Sequence, residues 1–241
     1  MIPVKDSIRA RRWPVVTLLL MGLNILIFVW TLGFSTRELM LWNRSFGMTP
    51  IFFQEGQPWG WHGMFPVWGT MLTSQFLHGS WSHLLGNMLY LWIFGDNVED
   101  HLGRGRFLLV YLLSGVAGNL VQLWSEPYST VTVIGASGAI AGVLGAYFLM
   151  FPHAKVRTII PIFIFFLFPI SVPAVIYLGV WFLMQILYSK SMLAGGSQNV
   201  AYLAHVGGFV VGAAVGYWYN RTHPPEPEIL DIVDDVFPEG P

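Results

Sequence analysis

The chain has 241 residues, of which 54% are hydrophobic and only 10% are Asp, Glu, Lys or Arg. Soluble domains carry about 25% charged residues, so this composition excludes an ordinary water-soluble globule and favours a membrane protein with several spans. The net charge of −1 argues against a nucleic-acid-binding protein, and the absence of cysteine excludes disulfides, thiolate metal sites and a cysteine nucleophile.

Six apolar segments are long enough for membrane-spanning helices. A span needs about 20 mostly apolar residues, because the hydrocarbon core is about 30 Å thick and a helix rises about 1.5 Å per residue. The sequence therefore predicts an all-α polytopic bundle with helices at residues 15–34, 81–102, 107–124, 136–151, 172–188 and 201–220. Residues 158–168 are apolar but short and contain Pro161, so we interpret them as an interfacial connection rather than a seventh span.

Lys and Arg are distributed unevenly between the two sides of this predicted bundle. Nine of the twelve lie on the side of both termini: Lys5, Arg9, Arg11, Arg12, Arg104, Arg106, Lys155, Arg157 and Arg221. Cytoplasmic loops carry the excess of positive charge, so both termini are predicted to be cytoplasmic. Residues 1–14 are then a cytoplasmic segment, 15–220 the membrane domain with an external loop at 35–80, and 221–241 a disordered acidic cytoplasmic tail.

Polar side chains inside the predicted spans are costly and usually functional, and four of them matter here. His83 and Asn87 are four residues apart and share one face of the second helix. Ser137 lies at the start of the fourth helix, and His205 lies about one turn into the sixth. These three helices all run from outside to inside, so the four residues lie at similar depth near the outer ends. They are predicted to meet there.

Small residues predict which of these helices touch. Stripes of small residues run along the fourth and sixth helices, at Gly138, Ala141, Gly142 and Gly145 and at Gly208, Gly212 and Gly216. Such small-xxx-small faces let helices pack closely. If these two stripes pack together, Ser137 and His205 come within hydrogen-bond distance, the arrangement by which a histidine base activates a serine hydroxyl.

Donors for an oxyanion are available beside this pair. Ser137 lies at a helix N-terminus, where backbone N–H groups have no partner within the helix, and the side chains of Asn87 and His83 are further donors. Residues 127–225 contain no Asp or Glu. An acidic third member has no obvious source in this region, so a Ser–His dyad is the simpler interpretation.

Each of these residues also has an ordinary structural explanation. A serine at a helix start is usually an N-cap, and a histidine or asparagine in a span often makes a hydrogen bond between helices. The histidines at 78, 83 and 205 lack the His-Glu-x-x-His motif and other acidic ligands, so no metal site and no cofactor is predicted. The co-location of the four residues is what favours catalysis.

Three motifs in chain order resemble those of the rhomboid intramembrane serine proteases. They are HGSWSHLLGN at 78–87, GASG at 135–138, and AHVGG at 204–208 followed by Gly212, and the resemblance extends over about residues 68–217. It implies a bacterial-type six-helix fold with Ser137 as nucleophile and His205 as general base. It also implies an oxyanion hole lined by His83, Asn87 and the Ser137 N–H. His78, Gly135 and Gly138 would support the site, His78 through the external loop.

The same resemblance implies an intramembrane serine endopeptidase that cleaves transmembrane proteins near the outer face of the bacterial inner (plasma) membrane. The alternative is an inactive rhomboid-like protein that binds transmembrane clients, although such a binder has no need of both Ser137 and His205. Two positions depart from the family pattern. Gly69 follows Trp68 where some relatives have Arg, and Ala141 occupies a position, four residues after the serine, where many relatives have an aromatic residue. The support of the His205 ring is therefore left open.

Overall fold

Helices dominate the computed structural model, which describes residues 2–56, 65–163, 166–193 and 200–223. The helices are α1 Val15–Thr31, α2 Thr36–Phe46, α3 Pro50–Gln54, α4 Thr70–Thr73, α5 Trp81–Leu102, α6 Arg104–Ser125, α7 Ser137–Met150, α8 Ala174–Leu193 and α9 Tyr202–Thr222. Three strands, β1 Ile2–Asp6, β2 Lys155–Phe163 and β3 Phe166–Pro173, form one antiparallel sheet in the order β1-β2-β3. The acidic tail predicted at 221–241 lies outside the described residues from position 224 onward.

Each of the six apolar segments predicted from the sequence corresponds to one helix of the structure. Among the described residues, α6 is the one helix that is both long and apolar enough to cross a membrane. Shorter apolar helices run over Val15–Thr31, Ser137–Met150 and Ala174–Ser189. The six helices are therefore found, and the count of six spans stays a prediction.

The sheet corrects the prediction of an all-α fold. Of residues 158–168, interpreted from the sequence as an interfacial connection, 158–163 belong to β2 and 166–168 belong to β3, which pairs with it. Their prolines exclude a helix but are compatible with edge strands and bulges. β3, which contains Pro169 and Pro173, is an edge strand, and the β2–β3 register shifts between Pro161 and Phe163. The β-branched residues of β2 favour the strand, and this signal was missed.

The first strand joins the N-terminal segment to the helices. β1 pairs with β2, and Asp6 lies opposite Val156. The buried Asp6 carboxylate accepts hydrogen bonds from the Tyr147 hydroxyl of α7 at 2.6 Å and from Nδ2 of Asn97 in α5 at 2.8 Å. Burial, opposed by the Tyr147 hydrogen bond, raises the pKa of Asp6 to about 7. β1 thus holds the ends of α5 and α7 that are remote from Ser137.

A buried carboxylate fixes the start of α1. Glu99 in α5 is 3% exposed and accepts hydrogen bonds from the backbone N–H groups of Val16 and Thr17 and from the Thr17 hydroxyl. An anion at a helix N-terminus satisfies free N–H groups and interacts favourably with the helix dipole. Glu99 therefore anchors α1 to α5 and is occupied away from the predicted catalytic residues.

The central helix of the fold is α7, which contacts α5, α6, α8 and α9. Every residue from Gly138 to Tyr147 is buried. A Cβ on Gly212 would overlap the Gly142 carbonyl, and a Cβ on Gly208 would overlap the Gly138 carbonyl. The predicted packing of the two glycine stripes is therefore confirmed, and backbone contact between α7 and α9 places Ser137 beside His205.

Replacement of Gly212 by alanine should separate these two helices. The new Cβ would meet backbone atoms of Gly142, which have no rotamer to change, so we expect the free energy of unfolding to fall by about 1 to 3 kcal/mol. Reversible unfolding in mixed micelles measures it. The matched control is Gly22→Ala in α1, where a Cβ meets nothing within 4 Å, and helix propensity alone should leave its stability equal or higher. Equal losses in the two variants would contradict this prediction.

Candidate active site

Ser137 and His205 are joined by a direct hydrogen bond. Oγ of Ser137 lies 2.7 Å from Nε2 of His205, and the histidine is buried in α9. Ser137 is the first residue of α7, whose N-cap is Ala136 and which has no side-chain cap. The serine hydroxyl is therefore committed to the histidine rather than to the helix end, which removes the ordinary N-cap explanation of this residue.

The other ring nitrogen of His205 is bound by a residue that the sequence argument did not consider. Nδ1 of His205 lies 2.9 Å from Oε1 of Gln185 in α8, and Nε2 of Gln185 donates to the Trp181 carbonyl at 3.1 Å. Gln185 is buried, at 7% exposure. The indole of Trp181 also lies beside the imidazole, with ring centroids 6.0 Å apart. α8 thus supports the His205 ring, at a place where Ala141 offers no aromatic surface.

Asn87 is oriented by His78. Nδ2 of Asn87 lies 2.9 Å from Nε2 of His78, and both side chains are buried. Burial, together with the neighbouring His83, lowers the pKa of His78 to about 3. The neutral ring accepts one hydrogen of the Asn87 amide at Nε2. A primary amide has two hydrogens, so one remains available to the cavity that Asn87 lines.

Gly135 makes room for His83. A Cβ at position 135 would lie 2.6 Å from Nε2 of His83, and the φ angle of +125° is one that side-chain-bearing residues rarely adopt. The Gly135 N–H donates to the Ser74 carbonyl at 2.9 Å, which fixes the segment leading into α7. Gly138 differs, because a Cβ there would make only ordinary contact with Ala204 at 3.6 Å.

A single cavity of about 680 Å³ connects these groups. Its lining includes Ser137, His205, His83 and Asn87, together with Gly135 and Gly138. His78 binds Asn87 from behind this lining. Glu126 contributes a carboxylate to the cavity and accepts a hydrogen bond from Nε2 of Gln122 at 2.9 Å. The structure therefore brings together the residues that the sequence predicted to meet.

The predicted external loop contacts the segment before α7. Met48 and Val133 form an isolated antiparallel bridge with backbone hydrogen bonds of 3.0 and 2.8 Å. Trp68 is largely exposed, and a Cβ on the next residue, Gly69, would overlap the Phe65 ring. An arginine at position 69 thus requires Phe65 to move, which is a steric reason for the departure noted in the sequence.

A family model described as the Rhomboid domain matches residues 66–222. The chain belongs to the rhomboid family. It is accordingly an integral membrane protein, and its mostly helical structure carries one small sheet.

Three curated relatives illustrate how far the similarity of this rhomboid extends. Rhomboid protein 1, mitochondrial, of Saccharomyces cerevisiae is 34% identical over 158 residues, which cover 63% of this chain and 42% of that protein. Rhomboid-like protein 11, chloroplastic, of Arabidopsis thaliana is 33% identical over 166 residues, which cover 65% of this chain and 54% of that protein. Rhomboid protease GluP of Bacillus subtilis is 46% identical over 79 residues, which cover 33% of this chain and 15% of that protein. The chain thus spans about half or less of the length of these relatives.

The relatives also bear on the predicted location. Two of these three are named as mitochondrial and chloroplastic, and the third comes from a Bacillus. The comparisons place this rhomboid in a membrane and do not support the bacterial inner membrane in particular.

Proposed function

We propose that this rhomboid is a serine endopeptidase that cleaves transmembrane proteins within the membrane, with Ser137 as nucleophile and His205 as general base. The observation that carries the proposal is the 2.7 Å hydrogen bond between Ser137 Oγ and His205 Nε2 at the wall of a cavity. A serine is a weak nucleophile until a base within hydrogen-bond reach removes its proton, and this geometry provides one.

In the first half of the reaction, Oγ of Ser137 attacks the carbonyl carbon of the scissile peptide while Nε2 of His205 takes the hydroxyl proton. The tetrahedral intermediate collapses when the C–N bond breaks, and the imidazolium returns its proton to the leaving amine. An ester between Ser137 and the N-terminal fragment remains. In the second half, His205 deprotonates a water that attacks this ester, and the carboxylic acid and free serine are released.

Three groups are suited to stabilise the negative charge on the intermediate. The Ser137 N–H is at the start of α7, where it has no partner within the helix. The second amide hydrogen of Asn87 and the ring of His83 reach the same cavity. Donors that are already in place when the charge develops require no reorganisation, so they lower the barrier to the reaction.

The proposed partner is a transmembrane segment of another protein, reached from the lipid. Large apolar side chains are exposed on the outward faces of five helices, among them Leu26, Trp92, Leu109, Leu183 and Val210. In water such faces would be unfavourable, whereas lipid solvates them. We therefore propose six spans, which are these five helices and the central α7. The excess of Lys and Arg on the side of both termini makes that side cytoplasmic, so the cavity lies near the outer face. A substrate helix must unwind there, because Ser137 can attack only an exposed carbonyl.

Covalent labelling tests the proposed function without knowledge of the natural substrate. The purified protein in mild detergent is treated with a fluorescent fluorophosphonate, which reacts with activated serines. We expect labelling of the wild type at Ser137 and none of Ser137→Ala at equal folded protein. Lack of labelling in the folded wild type, combined with failure to cleave any of a panel of transmembrane segments, would instead favour an inactive protein that binds transmembrane clients.

A further inference from the structure

We propose that Gln185 is a positioning residue, which accepts a hydrogen bond from Nδ1–H of His205 and thereby keeps Nε2 free to take the proton of Ser137. The inference rests on the proposed function, because it assigns a role in the activation of that serine. It also goes beyond a Ser–His dyad, since it adds a third, uncharged member contributed by α8.

The orientation of the Gln185 amide follows from its two contacts. Nε2 of Gln185 lies 3.1 Å from the Trp181 carbonyl, which can only accept a hydrogen bond, so the amide nitrogen must point there. The amide oxygen is then the atom that lies 2.9 Å from Nδ1 of His205. An amide oxygen can only accept, so Nδ1 must carry the hydrogen.

The tautomer of His205 is decided by the same reasoning. A neutral imidazole carries one hydrogen, and a hydrogen on Nδ1 leaves Nε2 as an acceptor. The atom 2.7 Å from Nε2 is the Ser137 hydroxyl oxygen, which can donate. One directional chain of hydrogen bonds therefore runs from Ser137 through His205 and Gln185 to the Trp181 carbonyl in α8. A reversed Gln185 amide would place its oxygen against the Trp181 carbonyl, and its N–H would face Nδ1 of His205 and favour the other tautomer.

The site needs such a residue because the usual supports of a catalytic histidine are missing. Residues 127–225 contain no carboxylate that could bind Nδ1, and Ala141 leaves no aromatic ring on α7 beneath the imidazole. Gln185 is buried, so its amide oxygen is shielded from solvent at the protein surface. An imidazole in the other tautomer presents Nε2–H to the serine and cannot act as its base.

The test replaces the amide with groups of the same length. Gln185→Met keeps the volume but lacks the acceptor oxygen, whereas Gln185→Glu keeps an oxygen at the position facing Nδ1. We expect the rate of fluorophosphonate labelling at Ser137 to fall about 10- to 100-fold in Gln185→Met, part of the about 10² to 10⁴ that general-base catalysis supplies. Gln185→Glu should retain most of the labelling rate that Gln185→Met loses. Ser189→Ala is the matched control, because Ser189 is a buried polar residue one turn along α8 whose hydroxyl donates to the Ile186 carbonyl.

The possible outcomes separate this inference from the proposed function. A wild type that labels at Ser137, with Gln185→Met labelling equally fast in the folded fraction, overturns the role of Gln185 alone. A folded wild type that neither labels nor cleaves any of the panel of transmembrane segments overturns the proposed function. A purely packing role for Gln185 predicts that the Met and Glu variants lose stability without any difference in labelling rate per folded molecule.

A measurement on the unmodified protein decides the matter even if Gln185→Met fails to fold. Nitrogen NMR of the protein labelled at histidine nitrogens distinguishes the two imidazole tautomers, and the His205 signals are assigned by their loss in His205→Ala. We expect a protonated Nδ1 and a bare Nε2. A protonated Nε2 with a bare Nδ1 would mean that Gln185 does not accept from the ring, and the inference would be wrong.

Discussion

Ser137→Ala and His205→Ala are each expected to reduce cleavage of a transmembrane substrate by about 10⁶-fold, to the limit of detection, while the protein stays folded. The nucleophile and its base act as a unit, since the Ser137 hydroxyl and Nε2 of His205 are directly hydrogen-bonded at 2.7 Å. Their effects should therefore not add. The double variant is expected to be no slower than either single variant.

The measurement is cleavage of a model transmembrane segment in liposomes, with thermal unfolding recorded for every variant. Matched controls remove the same groups elsewhere in the bundle. Ser114→Ala removes a buried hydroxyl of α6, and His101→Ala removes an imidazole at the far end of α5, bonded to the Asn97 carbonyl. Both should keep wild-type turnover per folded molecule. Activity of Ser137→Ala well above background would show that another residue is the nucleophile.

The helices were predictable because apolar length and glycine spacing are local properties of the sequence. The stripe containing Gly208 and Gly212 indicated a contact face, and the structure packs it on α7 at backbone distance. The sheet was not predictable by the same reasoning. Its prolines were interpreted only as helix breakers, and β1 pairs with β2 across about 150 residues of sequence, a non-local contact that leaves no periodic signal.

The candidate site shows the same division between local and non-local information. Ser137, His205, His83 and Asn87 were found because polar residues in apolar helices stand out, and because three helices running in one direction place them at a common depth. Gln185 carries that signal too, as a polar residue within the fifth apolar segment. It was missed because only the three helices that run from outside to inside were compared, although the same topology places the end of the fifth segment, just after Gln185, on the outer side. The sequence left open how the His205 ring is supported without an aromatic residue at Ala141, and the contact of Gln185 with Nδ1 provides such a support.

Asn87→Ala is expected to lower kcat by about 10²- to 10³-fold with little change in KM, the usual cost of losing one oxyanion donor. His78 occupies one hydrogen of the Asn87 amide, so the side chain is held in place before substrate arrives. The second hydrogen lies on the cavity side, where charge develops only in the transition state. An interaction that is absent in the ground state changes kcat and leaves substrate binding almost unaltered.

Steady-state kinetics on a model transmembrane segment, corrected for the folded fraction, would separate this role from a structural one. Asn24→Ala is the matched control, because Asn24 is a fully buried asparagine in α1 whose amide donates to the Leu20 carbonyl away from the cavity. That variant should lose stability and keep its kcat. If Asn87→Ala behaved in the same way as Asn24→Ala, with lower stability and unchanged kcat per folded molecule, Asn87 would serve only to join His78 to α5. The oxyanion would then depend on the Ser137 N–H and His83 alone, and Gly135, which gives His83 its space, would become the more sensitive position.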